Sequence, residues 1–134
     1  MPARVLIVDD DRELAESLAD FVAMNGHDVS TASNGKEAVD RSRVEVFDIF
    51  VSDVRMPVMN GVDSFFEIRK LKPNAKFIMM TGLWEPLVER ALQAGALCLL
   101  QKPFNLADLL VWIDRAAAPD LGDRMRRDGT STSA

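Results

Sequence analysis

Four apolar runs in this 134-residue sequence each lead into a residue that can handle a charged ligand. VLIV (5–8) meets Asp9, Asp10 and Asp11, and DIFV (48–51) leads to Asp53. FIMM (77–80) meets Thr81, and LCLL (97–100) is followed by Lys102. Asp9, Asp10 and Asp53 carry about −3 and Lys102 about +1, and crowded carboxylates resist joint ionisation unless a cation intervenes. One Mg²⁺ would bring the formal sum to about zero, and its octahedral all-oxygen preference suits one or two carboxylates, a backbone carbonyl and waters. A carboxylate beside such an ion can attack a phosphoryl group to give an aspartyl phosphate. The ion and Lys102 would then offset charge on the phosphoryl oxygens, and the Thr81 hydroxyl could donate to one of them. Phosphorylation would take Asp53 from about −1 to about −2. Singly, each position has a plainer reading: an Asp after a strand is most often a helix N-cap, and Asp11 is read that way.

These residues can act together only if the elements carrying them gather. The four runs are continuous rather than alternating, which suits strands covered on both faces. A weaker strand, DVSTA (28–32), lies between the first two. Between the runs the period becomes helical. Leu14, Leu18, Phe21 and Val22 share one stripe that stops at Asn25-Gly26. Asn34 and Glu37 resemble a capping box ahead of Ala38 and Val39. Phe65, Ile68 and Leu71 follow Gly61; Val88, Ala91 and Leu92 follow Pro86. Leu106, Leu109, Leu110 and Ile113 form the inward stripe of a fifth helix that begins near Asn105. Strand and helix alternate five times, which implies a parallel sheet with helices on both faces. The expected fold is α/β, doubly wound, with strand order 2-1-3-4-5 and the ligand site at the switch point between strands 1 and 3.

Composition limits the alternatives. The length suits one domain, expected over residues 1–118, with 119–134 a polar tail or the start of a linker behind Pro119. Sixteen Lys and Arg against 21 Asp and Glu give a net charge of −5, which argues against direct nucleic-acid binding. No 18-residue apolar run is present in the sequence, so a membrane span is not expected. The single cysteine, Cys98, reads as a core residue and cannot form an internal disulfide; a reducing cytoplasm is the expected setting. The single histidine, His27, falls at a helix-to-strand corner far from the acidic rim and reads as a surface residue. Zinc and His-dependent triads are therefore disfavoured.

The segments VLIVDDD, VSDVRMPVMNG, MTG and GALCLLQKPF, in this order and at these spacings, resemble the receiver domain of two-component response regulators, over about residues 4–118. Asn60 stands where Asp is commoner in that family. The resemblance implies that Asp53 accepts a phosphoryl group from a phosphohistidine on a sensor histidine kinase or histidine phosphotransfer protein. It implies that Asp10 binds Mg²⁺ directly and Asp9 through water, with Asp53 sharing the metal through its side chain and Arg55 through its carbonyl. Thr81 would move toward the phosphoryl oxygens and Lys102 would pair with them; Pro103 would follow a cis peptide bond. A downstream target or output domain outside this chain, and a homodimer, are the further partners implied.

Two positions shape how such a switch would be read. Leu99 stands where the family usually has Tyr or Phe, so the Thr81 shift is expected to travel through the 82–86 loop, which Gly82 makes pliable. Leu83, two residues past Thr81, is expected to shield the phosphoryl group from water. Trp84, Phe66 and Trp112 read as core or half-buried packing or as aromatic anchors for a partner, with Trp112 on the fifth helix the best placed. A haloacid-dehalogenase-type phosphohydrolase would share the Asp9-x-Asp11 pair, but Glu13 stands where Thr or Val is usual and the chain is short. A receiver-like module that is never phosphorylated is a further alternative. A flavodoxin-like FMN binder is disfavoured because DDDRE after strand 1 repels phosphate.

Overall fold

A computed structural model describes residues 2–118, so the expected polar tail lies outside the described residues. The strands are β1 (Arg4–Val8), β2 (Asp28–Ala32), β3 (Ile49–Asp53), β4 (Lys76–Thr81) and β5 (Cys98–Gln101). They alternate with helices α1 (Arg12–Met24), α2 (Gly35–Val44), α3 (Gly61–Leu71), α4 (Pro86–Gln93) and α5 (Leu106–Ala117). All strand pairs are parallel, in the order β2-β1-β3-β4-β5, as the alternation of elements predicts.

Continuous apolar strands are needed because both faces are covered. Leu6, Val8, Phe50, Phe77 and Met79 face α2, α3 and α4. Val5, Ile7, Ile49, Val51, Ile78 and Met80 face α1 and α5. Phe50 and Phe77 stack at 4.7 Å, and Phe65 of α3 meets Phe77 edge-on at 5.0 Å. Each fully buried side chain of this size contributes about 1.5–3 kcal/mol. The central strands are therefore the rigid part of the molecule.

Four helices start with a side-chain cap near the ends of the strands. Asp11, Asn34, Asn60 and Asn105 accept from the backbone N–H of Leu14, Glu37, Asp63 and Ala107. Glu37 completes its box one residue early, accepting from the N–H of Ser33 rather than that of Asn34. Helix α4 is different: Glu85 is its N-cap residue, but makes no side-chain cap bond, and Pro86 follows.

Two expectations need correction. His27 is not at the surface: its side chain is only 3% exposed. The Ala3 N–H donates to Nδ1 at 3.1 Å, so Nε2 carries the proton and faces Asp114 Oδ1 at 2.9 Å. Both ring nitrogens are thus satisfied without water, and the ring ties the start of β1 to α5. Leu106 and Leu71, assigned to inward stripes, are exposed because they lie in the terminal turns of their helices. The expected end of the third strand at Asp53 is observed: β3 continues through Ser52 and Asp53, because its backbone keeps pairing with Met79 and Met80 after its side chains turn polar.

Val58 carries local strain. Its φ is +74°, and the Met59 N–H donates to Pro57 O across it at 2.9 Å, a three-residue γ-turn. A β-branched residue is poorly suited to that region, whereas Asn tolerates it. Since Val58 is exposed, little packing opposes a change. Val58→Asn is expected to raise the unfolding free energy by about 1 kcal/mol in urea titration. An unchanged midpoint would mean that the turn stores no strain.

Candidate functional site

Parallel strands deliver their C-terminal ends to one rim. The Asp9 N–H donates to Ala32 O, carrying the ladder one residue past β1. Val54 N–H donates to Met80 O at the end of β3, and Lys102 N–H donates to Thr81 O at 2.7 Å. These backbone bonds fix the positions from which Asp9, Asp53, Thr81 and Lys102 project.

Asp9, Asp10 and Asp53 offer carboxylate oxygens within 4.8 Å of one another; the first and last are buried and Asp10 is exposed. Lys102 Nζ lies 2.7 Å from Asp9 Oδ2 and 3.5 Å from Asp53 Oδ2. The other oxygen of Asp9 accepts from the Asp11 N–H at 2.9 Å. The peptide between Lys102 and Pro103 is cis. An all-oxygen cluster with excess negative charge fits a hard divalent cation such as Mg²⁺. His27 and Cys98, which would favour a softer metal, sit elsewhere.

The charges strain one another. Burial pushes the Asp53 carboxyl above its usual range, the Asp9 charge pushes it further, and Lys102 only partly opposes them. For Lys102, burial works against the ammonium, but the hydrogen bond it donates to Asp9 and the charges of Asp53 and Asp9 outweigh it and raise its pKa. Lys102 therefore stays charged at neutral pH.

Gly61 positions the end of β3. A Cβ there would collide with the Asp53 carbonyl oxygen, and the Gly61 N–H donates to Val54 O. From the sequence Gly61 is only a helix start; nothing local signals that another backbone presses against it.

Thr81 is buried, and its hydroxyl is committed away from the carboxylates. It donates to Leu83 O at 2.7 Å and accepts from the Leu83 N–H at 3.3 Å. Asp53, Arg55, Thr81, Leu83, Trp84, Glu85 and Lys102 line a cavity of about 510 Å³. Leu83 and Trp84 form exposed apolar walls, 78% and 60% accessible. Arg55, two residues past Asp53, pairs with Glu85 through two contacts, Nη2–Oε1 at 2.7 Å and Nε–Oε2 at 2.8 Å. The sequence reading singled out Arg55 but missed Glu85, thirty residues away.

The remaining candidates do not join this cavity. Leu99 pairs with Met79 and packs, half-buried, toward α4. Trp112 packs half-buried on the opposite core, with the Arg115 guanidinium 5.4 Å above its ring. Phe66 is half-buried beside Phe65. Cys98 is only partly buried rather than fully in the core, though burial still pushes its thiol up to about 11.

The raised pKa of Asp53 carries a sign for stability. Its neutral form favours folding fully below the unfolded carboxylate pKa, and that contribution is lost as pH rises through the folded value. At pH 7 the charged carboxylate therefore opposes folding. Asp53→Asn is expected to stabilise the metal-free protein at pH 7 by about 1 kcal/mol, the order of one uncompensated like-charge contact. The gain should shrink as pH falls into the carboxylate range, as followed by urea unfolding in chelator. Equal or lower stability at pH 7 would mean that Lys102 outweighs burial and Asp9.

Comparison with known proteins agrees with this architecture. A family model described as the response regulator receiver domain matches residues 5–114. The chemotaxis protein CheY of Thermotoga maritima is 41% identical over 107 residues, covering 78% of this chain and 89% of its own. The transcriptional regulatory protein PdtaR of Mycobacterium tuberculosis is 36% identical over 120 residues, 88% of this chain and 58% of its own. This chain spans about half the length of several such regulators, 45% in one receiver protein of Anaeromyxobacter. Among solved structures, a CheY-like receiver from Methanospirillum hungatei aligns with TM-score 0.81 and 32% identity, covering 86% of this chain and 93% of that one. CheY from Borrelia burgdorferi, solved with CheX, beryllofluoride and Mg²⁺, aligns with TM-score 0.81 and 31% identity, covering 89% and 92%. With the model matched from β1 into α5, the chain belongs to the response regulator receiver family.

Proposed function

We propose that this chain is a phosphoacceptor switch in which Asp53 receives a phosphoryl group from a phosphohistidine on a partner kinase or phosphotransfer protein. The observation that carries this reading is the meeting of the Asp53 carboxylate with Asp9, Asp10 and Lys102 at one sheet rim. Relatives from Borrelia burgdorferi and Thermotoga maritima solved with Mg²⁺ and beryllofluoride support it. No helix among the described residues is long and apolar enough to cross a membrane.

In the proposed step an Asp53 oxygen attacks phosphorus and forms an O–P bond. The P–N bond to the donor imidazole, protonated on its other ring nitrogen, breaks, its electron pair stays on the nitrogen that held phosphorus, and the neutral imidazole leaves. When bound, Mg²⁺ would be held by Asp10 and Asp53, by Asp9 through water and by the Arg55 carbonyl, and would supply positive charge against the phosphoryl oxygens. Lys102, now shared between Asp9 and Asp53, would turn to a phosphoryl oxygen. Thr81 would exchange the Leu83 carbonyl for another of those oxygens, which frees Leu83. Because Leu99 has no hydroxyl, the displacement is assigned to the 82–86 loop, where Gly82 has open space around it. The response would then reach α4, β5 and α5, where Leu99, Trp112 and the exposed Trp84 offer contacts to a downstream protein or a second copy.

Acetyl phosphate with Mg²⁺ is expected to add one phosphoryl mass to the protein and none to Asp53→Ala; an unlabelled wild-type chain would sink the proposal. Leu83→Glu replaces an apolar wall by a carboxylate that can hold water, so the phosphorylated half-life should fall about threefold or more. An unaltered half-life in a decay assay would remove Leu83 as a shield.

A further inference from the structure

We propose that the Arg55–Glu85 pair is a latch that phosphorylation of Asp53 opens, with Arg55 the side chain that changes partner. This inference rests on the phosphoacceptor reading above. Exposed ion pairs ordinarily contribute little, but a two-pronged Arg–carboxylate contact with a covered carboxylate is an exception. The Glu85 side chain is 16% exposed and the Arg55 side chain 72%. Both residues line the cavity, and the pair joins the loop after β3 to the loop after β4.

The cap of α4 supplies an independent observation. The other four helices are capped by their N-cap side chains, whereas α4 is not. The residue at that position is Glu85, whose carboxylate is taken by Arg55. A negative charge near a helix N-terminus is favourable, so a released Glu85 has a second place to settle.

A phosphoryl group on Asp53 would compete for the latch. It adds about one negative charge and several acceptor oxygens to a cavity that Arg55 already lines, and the guanidinium fork suits such oxygens. The segment from Leu83 to Glu85 is braced at one end by Thr81 and at the other by Arg55. One phosphoryl group attracts both braces. Arg55 is thus a positioning residue that couples the acceptor to the start of α4.

The test is a double-variant cycle read by Mg²⁺–beryllofluoride binding to the full chain, with Glu85→Gln, Arg55→Gln and both together. Glu85→Gln removes the competitor, and should tighten binding about fivefold in the wild-type background but leave it unchanged in Arg55→Gln. In the free protein, amide exchange at Leu83, Trp84 and Glu85 should rise several-fold, and equally, in all three variants. Equal effects of Glu85→Gln in both backgrounds, or unaltered exchange, overturn the latch while leaving the phosphoacceptor reading intact. A wild-type chain that binds no beryllofluoride overturns both.

Discussion

Like-charge crowding at one edge of a parallel sheet is the constraint on which the rest of the molecule depends. Parallel strands must end together, so whatever follows each apolar run is forced to the same rim. Here that rim holds three carboxylates within 4.8 Å and one ammonium to moderate them. Burial and the neighbouring Asp9 both work against the charge on Asp53, and burial works against that on Lys102. Two well-packed faces, each built from alternate residues of the same strands, offset that cost. In the proposed reading, the least comfortable part of the fold would therefore also be the part best prepared for a cation and a phosphoryl group, because its charges are fixed before any ligand arrives.

The site divides into fixed and exchangeable parts. Asp9, Asp53 and Thr81 are set by ladder bonds, and Gly61 holds the Asp53 backbone by an approach no Cβ would allow. The exchangeable parts are contacts of side-chain ends: Lys102 to Asp9, Thr81 to Leu83, Arg55 to Glu85. In the proposed switch each would be replaced by a contact to a phosphoryl oxygen without moving a strand. Polar contacts with two available partners suit a switch better than packed side chains, which resist small displacements.

Much of this was legible in the sequence, for reasons that also mark its limits. Apolar runs and helical stripes are local signals, and crossover handedness leaves few ways to assemble them, so the strand order and the gathering of Asp9, Asp10, Asp53 and Lys102 could be expected. Asn34 and Asn105 were equally readable as helix starts, because a cap bond spans only two or three residues. What depends on distant partners was not readable. His27 is buried because Ala3 and Asp114, 24 and 87 residues away, satisfy its ring. Glu85 draws its meaning from Arg55, thirty residues earlier; the Thr81 hydroxyl, by contrast, turns to a carbonyl only two residues on, in a loop whose direction no propensity encodes. The terminal-turn leucines Leu71 and Leu106 share the periodicity of their helices but lie where the core ends.

In the proposed switch, the route from Asp53 to the surface would follow from what is able to move. The central strands are buried on both sides, with Phe50 stacked on Phe77, so they transmit position but not displacement. Helix α4 is the shortest helix among the described residues, with eight residues, and buries only Val88 and Ala91 fully. Its N-terminus lacks a side-chain cap, and the segment before it is braced by contacts that meet at the cavity. Leu99 touches the same layer as α4 from the sheet side, while Trp112 belongs to the other layer. A change at Asp53 therefore meets least resistance along the 82–86 loop into α4. Leu99 would register that movement as altered packing, with no hydroxyl to exchange.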